Sequence, residues 1–67
     1  MSVARVTELS STSTESFEDA IRQGIDRATK TLRQVRSAWI KEQRVAVNRD
    51  GSLEFQVNLL VTFVLED

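Results

Sequence analysis

The sequence predicts a single α+β domain with the element order β-α-β-β: an antiparallel three-stranded sheet with one helix on one of its faces. Three observations carry this expectation. Apolar residues between Phe17 and Val35 recur at steps of three and four, the spacing of one helix face. Residues 53–65 alternate strictly, as a half-buried strand does. Asp50-Gly51, just ahead of that strand, is a hairpin signal, because glycine adopts positive φ without steric cost.

The first strand is expected from Val3 to Leu9. Val3, Arg5, Thr7 and Leu9 share one face, and Ala4, Val6 and Glu8 share the other. The run SSTST, Ser10 to Thr14, reads as a polar break, since short hydroxyl side chains compete with regular backbone pairing. Ser13 is the expected helix N-cap, with Glu15, Glu18 and Asp19 in the first turns, where the helix dipole favours acids. Thr12 with Glu15 is an alternative capping box.

The helix is expected to run to about Val35, with Phe17, Ala20, Ile21, Gly24, Ile25, Ala28, Leu32 and Val35 on its buried stripe. Glu18, Arg22, Asp26 and Lys30 alternate in sign at steps of four on another face and are placed to pair. Gly24 costs roughly 1 kcal/mol of helix propensity relative to alanine, and close approach of helix to sheet would explain it. The second strand is expected from Ser37 to Val47 and the third from Leu53 to Leu65, joined by the turn Asn48 to Ser52. Leu53, Phe55, Val57, Leu59, Val61, Phe63 and Leu65 form the apolar face of the third strand. Gln56, Asn58, Leu60, Thr62 and Val64 mark its second face, a mixture suited to meeting other subunits.

At 67 residues the chain is one domain, residues 1–67. A monomer of this size buries only about 60% of the surface its unfolded chain exposes. The sequence has neither cysteine nor histidine, so disulfides and the usual zinc site are excluded, and oligomerisation is left as the source of added stability. Nine basic and ten acidic residues give a net charge of −1, against a nucleic-acid binder. No apolar run is long enough to span a membrane. MSVARVTEL lacks the apolar core of a signal peptide, so the expected location is the cytoplasm.

Little in the chain supports catalysis. A Ser-His or Cys-His nucleophile is excluded by composition, and two glycines cannot form a glycine-rich phosphate loop. A small tautomerase would need an N-terminal proline, and the chain has none. The polar candidates lie on the strands. Gln56 offers a donor and an acceptor that suit the edge of a heteroaromatic ring, or else is an interface-bonded amide. Trp39, the only tryptophan, is either packing or a stacking platform. Lys41 and Arg44 can attract a phosphate or stand as solvated charges.

TSTESFEDAI (Thr12–Ile21), IDRATKTLRQVR (Ile25–Arg36), IKEQR (Ile40–Arg44), FQV (Phe55–Val57) and FVLED (Phe63–Asp67), in that order, resemble the dodecins over nearly the whole chain. The resemblance implies a sheet wrapped partly around the helix and a hollow homododecamer. It also implies flavin, FMN or riboflavin, bound in pairs between subunits and stored or quenched without turnover. In flavin-binding members a strand-2 tryptophan stacks on the ring and a strand-3 glutamine bonds its edge. Gln56 matches that glutamine. Aligned on IKEQR, the family tryptophan falls on Ser37; Ser37 stands nineteen residues before Gln56 and Trp39 seventeen, and the family spacing matches the former. Two readings follow: Trp39 lines the pocket from a shifted place, about 6.6 Å along the same strand face, or it fills the interface a flavin would occupy. Arg44 would hold the phosphate of FMN. Some members are described as calcium-binding; by residue type alone, Glu8, Glu15, Glu18, Asp19 and Glu42 are the candidate oxygen ligands for that alternative.

Overall fold

The computed structural model of the chain describes residues 3–65. Its elements are β1 (Ala4–Ser13), α1 (Phe17–Thr31), β2 (Val35–Val47) and β3 (Leu53–Val64). The sheet order is β1-β3-β2, both pairings antiparallel, so the last strand in sequence is the central one. The expected β-α-β-β architecture is the one observed; of the FVLED stretch, Glu66 and Asp67 lie outside the described residues.

β1 is longer than expected. SSTST does not break the strand: Ser10 to Ser13 pair with Asn58 to Phe55. Hydroxyl side chains favour turns only where no ladder competes, and here β3 supplies one. Ser13 is not the N-cap. It is buried, accepts the Glu15 N–H at 2.9 Å and donates to Asp19 Oδ2 at 2.6 Å. The cap is Ser16, whose backbone is extended and whose side-chain Oγ accepts the Asp19 N–H at 2.9 Å. Neither Thr12 nor Glu15 takes part in that cap.

α1 ends at Thr31 rather than near Val35. The Leu32 N–H closes on the Ala28 carbonyl, and Gln34 turns the chain with a φ of +56°. That left-handed position is one where glycine or asparagine would usually stand, and its absence from the sequence hides the helix end. Val35 therefore opens β2. The helix charges Glu18, Arg22, Asp26 and Lys30 form no ion pair among the described residues; the one present joins Lys41 and Glu8.

Between β2 and β3 the turn forms as expected. Asn48 N–H donates to the Ser52 carbonyl at 2.8 Å, Gly51 N–H to the Asn48 carbonyl at 2.9 Å, and Gly51 has φ +89°. The Ser52 hydroxyl and backbone N–H both donate to Asp50 Oδ1 and hold that carboxyl below its usual range.

The core lies between α1 and the inner face of β3. Val57, Leu59 and Val61 are fully buried beneath Ala20 and Ala28. A Cβ on Gly24 would stand 2.6 Å from Leu59 Cδ1 and 3.2 Å from Ser11 Cβ, so the close approach inferred from sequence is real. At the start of the helix, Phe17 meets Phe55 edge-to-face with centroids 5.0 Å apart.

The helix covers β1, β3 and the start of β2, where Val35 and Ala38 pack against the core, but leaves the underside of β2 bare from Ile40 onward. Ile40, Val45, Val47 and Leu53 point to the helix side and remain exposed, Val47 to 71%. The radius of gyration is 13.8 Å, against about 11 Å for a compact chain of this length. The accessible surface is 5194 Å², against roughly 4,300 Å² for a globular monomer of this mass. The subunit is a flat, extended body with unspent apolar surface.

Candidate functional site

The site is built on the outer face of the sheet, away from α1. In an antiparallel ladder, directly opposed residues share a face. Ser37 opposes Thr62 and Trp39 opposes Leu60, so Ser37 and Trp39 lie on one face, as the strand period predicted. That face is the outer one, because Leu60 and Thr62 alternate with the buried Leu59 and Val61. The indole of Trp39 is 73% exposed.

Arg44 reaches the same face by a device the sequence does not advertise. Strict alternation from Trp39 would turn Arg44 toward the helix. Lys41 instead forms a β-bulge, since the register passes from Ile40↔Leu59 to Glu42↔Asn58 with Lys41 unmatched. The extra residue resets the phase and sets Arg44 outward, opposite Gln56. A second irregularity between Val35 and Ser37 adjusts the start of the strand.

The expected site residues therefore share a face but not a place. Arg44 and Gln56 are neighbours and line a hollow of about 320 Å³ with Glu42, Gln43 and Asn58. Trp39 stands four residues away along β3, measured from its partner Leu60, which is about 13 Å. Ser37 stands six residues away, about 20 Å. One chain gathers a polar group and an aromatic group and leaves a gap between them.

Each group has its own bonding. Gln56 Nε2 donates to Ser10 Oγ at 2.9 Å, which fixes the amide across β1 and β3. Asn58 Nδ2 donates to Glu42 Oε1 at 3.2 Å, while Asn58 Oδ1 is buried without a partner among the described residues. Beside Trp39 and Leu60, Lys41 Nζ reaches Glu8 on β1 at 3.4 Å. Asn58, Leu60 and Thr62 were legible as the second face of β3. Their partnership with Glu42, Trp39 and Ser37 was not, because it depends on register and on the bulge.

The acids considered as oxygen ligands divide. Glu8 and Glu42 lie on the outer face, Glu15 just before the Ser16 cap, and Glu18 and Asp19 in the first turn of α1. Among the described residues no three acids come together in a way that could hold a metal ion. No helix of the described residues is long and apolar enough to cross a membrane.

Comparison with known proteins places this geometry in context. The family model described as Dodecin matches residues 3–66. A dodecin of Thermus thermophilus is 42% identical over 65 residues, covering 97% of this chain and 94% of that protein. A protein of Mycobacterium tuberculosis named calcium dodecin is 33% identical over 63 residues, covering 94% and 89%. A crystal structure of a T. thermophilus dodecin variant superposes with a TM-score of 0.92 at 40% identity, covering 100% of this chain and 98% of the other.

Proposed function

The chain belongs to the dodecin family, and from that premise we propose that it binds a flavin, riboflavin or FMN, between subunits of a cytoplasmic homododecamer and holds it without turnover. The observation that carries this reading is the split site. Trp39 presents an exposed indole on the outer face, and about 13 Å away Gln56 and Arg44 present an amide and a guanidinium on the same face. Neither group is complete alone. A second copy laid against the outer face supplies the missing half: the platform from one subunit, the polar group from another. The surplus accessible surface supports association of subunits, and the exposed apolar residues on the helix side of β2 call for a further contact on the opposite face.

In this assembly the ring stacks on Trp39, with Ser37 leaving room beside it on the same face. Gln56 bonds the ring edge, and Arg44 holds the phosphate when FMN is bound. Stacking on an aromatic side chain quenches flavin emission and prevents its photochemistry, which is what storage requires.

Titration of riboflavin and FMN with the assembled protein tests the reading through flavin fluorescence. The expected result is saturable quenching near one flavin per subunit, with Trp39→Ala weakening affinity about tenfold or more. A large oligomer that leaves flavin emission untouched sinks it.

The relative named calcium dodecin favours a second reading, a shell that has given up flavin for an ion. The acids of one chain do not gather, so subunits would have to pool Glu8 and Glu42 or the helix-start acids. Calorimetry with Ca²⁺ separates the two, since only this second reading gives heat beyond dilution.

A further inference from the structure

The Lys41–Glu8 pair has no evident structural purpose, and its placement suggests one in recognition. Lys41 is the extra residue of the β2 bulge, and bulges commonly re-aim a side chain beside a site. Its ammonium extends across the central strand to Glu8 on the far edge strand, two strand spacings or about 9.6 Å away. The contacts are long, 3.4 and 3.5 Å to the two carboxylate oxygens, and both side chains are 48% exposed. A loose surface pair of this kind contributes little to stability, while ordering a lysine side chain opposes it. Glu8, Leu60 and Trp39 form one row across the sheet. The strap thus crosses β3 to the residue that opposes Leu60, whose other ladder partner is Trp39.

We propose that Lys41 is a specificity-determining residue of the stacking site, donating from its ammonium to the electron-rich dicarbonyl edge of a planar heteroaromatic ring stacked on Trp39, with Glu8 the weak competitor that the ring displaces. The inference rests on the flavin reading and adds to it the polarity of the ring edge that the site selects. In the free protein Lys41 rests on Glu8 at the limit of hydrogen bonding. A ring carbonyl at ordinary hydrogen-bond distance competes well for that ammonium, and charge-assisted bonds are the stronger kind. Thr62 and Ser37 supply hydroxyls on the opposite side of the Trp39 row, so the ring meets a cation along one edge and neutral groups along the other.

Riboflavin is the probe, because it carries no phosphate for Arg44 to hold. Binding to the assembled protein is followed by quenching for wild type, Lys41→Met, Lys41→Arg and Glu8→Gln, with each variant confirmed as the same oligomer. A ligand role and a structural role for the pair differ in what they predict for Glu8→Gln. When Lys41 serves the ligand, Lys41→Met weakens riboflavin about tenfold or more. Lys41→Arg keeps most of the affinity, and Glu8→Gln tightens binding or leaves it unchanged, because the ammonium no longer has a competitor. When the pair is only a structural tie, Lys41→Met and Glu8→Gln both break it and weaken binding together. That same-sign result overturns the inference and leaves the flavin reading intact, as does unchanged affinity in Lys41→Met. Absence of riboflavin binding to wild type removes both.

Discussion

Alternate residues of β3 have opposite surroundings. Val57, Leu59 and Val61 are sealed beneath α1, while Gln56, Asn58, Leu60 and Thr62 stay half covered on the other side. The inner set is purely apolar and touches Ala20, Gly24 and Ala28, the small residues that let the helix come close. The outer set mixes amides, a hydroxyl and a leucine, and its partners across the ladder are Arg44, Glu42, Ser37 and Trp39. One strand thus serves two demands that would conflict on a single face. Folding requires close packing of apolar groups, and recognition requires polar groups and an aromatic surface left accessible.

The comparison can be broken most severely at Leu59. Leu59→Ala removes a fully buried side chain from beneath α1 and is expected to cost about 2–5 kcal/mol. Circular dichroism melts should show a fall of about 8–40 °C, given about 4–8 °C per kcal/mol in a chain this small. Leu60→Ala, one residue on, should move the subunit's melting far less, because the outer face is only half covered. Equal losses would mean the two faces are not divided in this way.

A smaller effect is expected at Gly24. Gly24→Ala gains about 1 kcal/mol of helix propensity. Against that, overpacking a filled core costs typically 1–3 kcal/mol, and the new Cβ falls 2.6 Å from Leu59 Cδ1 and 3.2 Å from Ser11 Cβ. The expected net is a loss of about 1 kcal/mol in chemical denaturation, and a gain would show that the interface between helix and sheet has slack. The smallest effect lies at the helix end. Gln34→Gly relieves a left-handed backbone at φ +56°, though the freer unfolded chain and loss of the bond that Arg36 donates to Gln34 Oε1 offset part of the benefit. A gain of up to about 1 kcal/mol is expected, with no change in ligand affinity, because Gln34 stands before β2 and apart from the outer-face groups.

What the sequence disclosed follows from periodicity. The alternation of β3, the stripe of α1, the turn at residues 48–52 and the close approach at Gly24 each rest on spacing or on one residue's stereochemistry, and each is found in the structure. The misplaced boundaries share a cause: local preference gave way to pairing. Ser10 to Ser13 look like a break but have β3 beside them, and the end of α1 uses Gln34 where a glycine would have announced it. The site was legible as a set of residues, not as an arrangement. Arg44 shares a face with Trp39 only because Lys41 is unmatched, and no pattern of residue types distinguishes a bulge from an ordinary strand position. The distance between Trp39 and Gln56 likewise depends on the register of two strands, which the sequence leaves implicit.

The position of β3 at the centre of the sheet also sets an order of events in time. β1 and β2 never pair with each other; each finds its partner only in the strand made after both. β2 and β3 are joined by a five-residue turn and can zip locally, whereas β1 must join ends as far apart as Ala4 and Val64. Contacts of such long sequence separation form slowly. During synthesis the amphipathic helix and the bare edge of β1 therefore wait, with nothing to cover them, until β3 clears the ribosome. The sheet of the subunit is complete only when its last strand has been made.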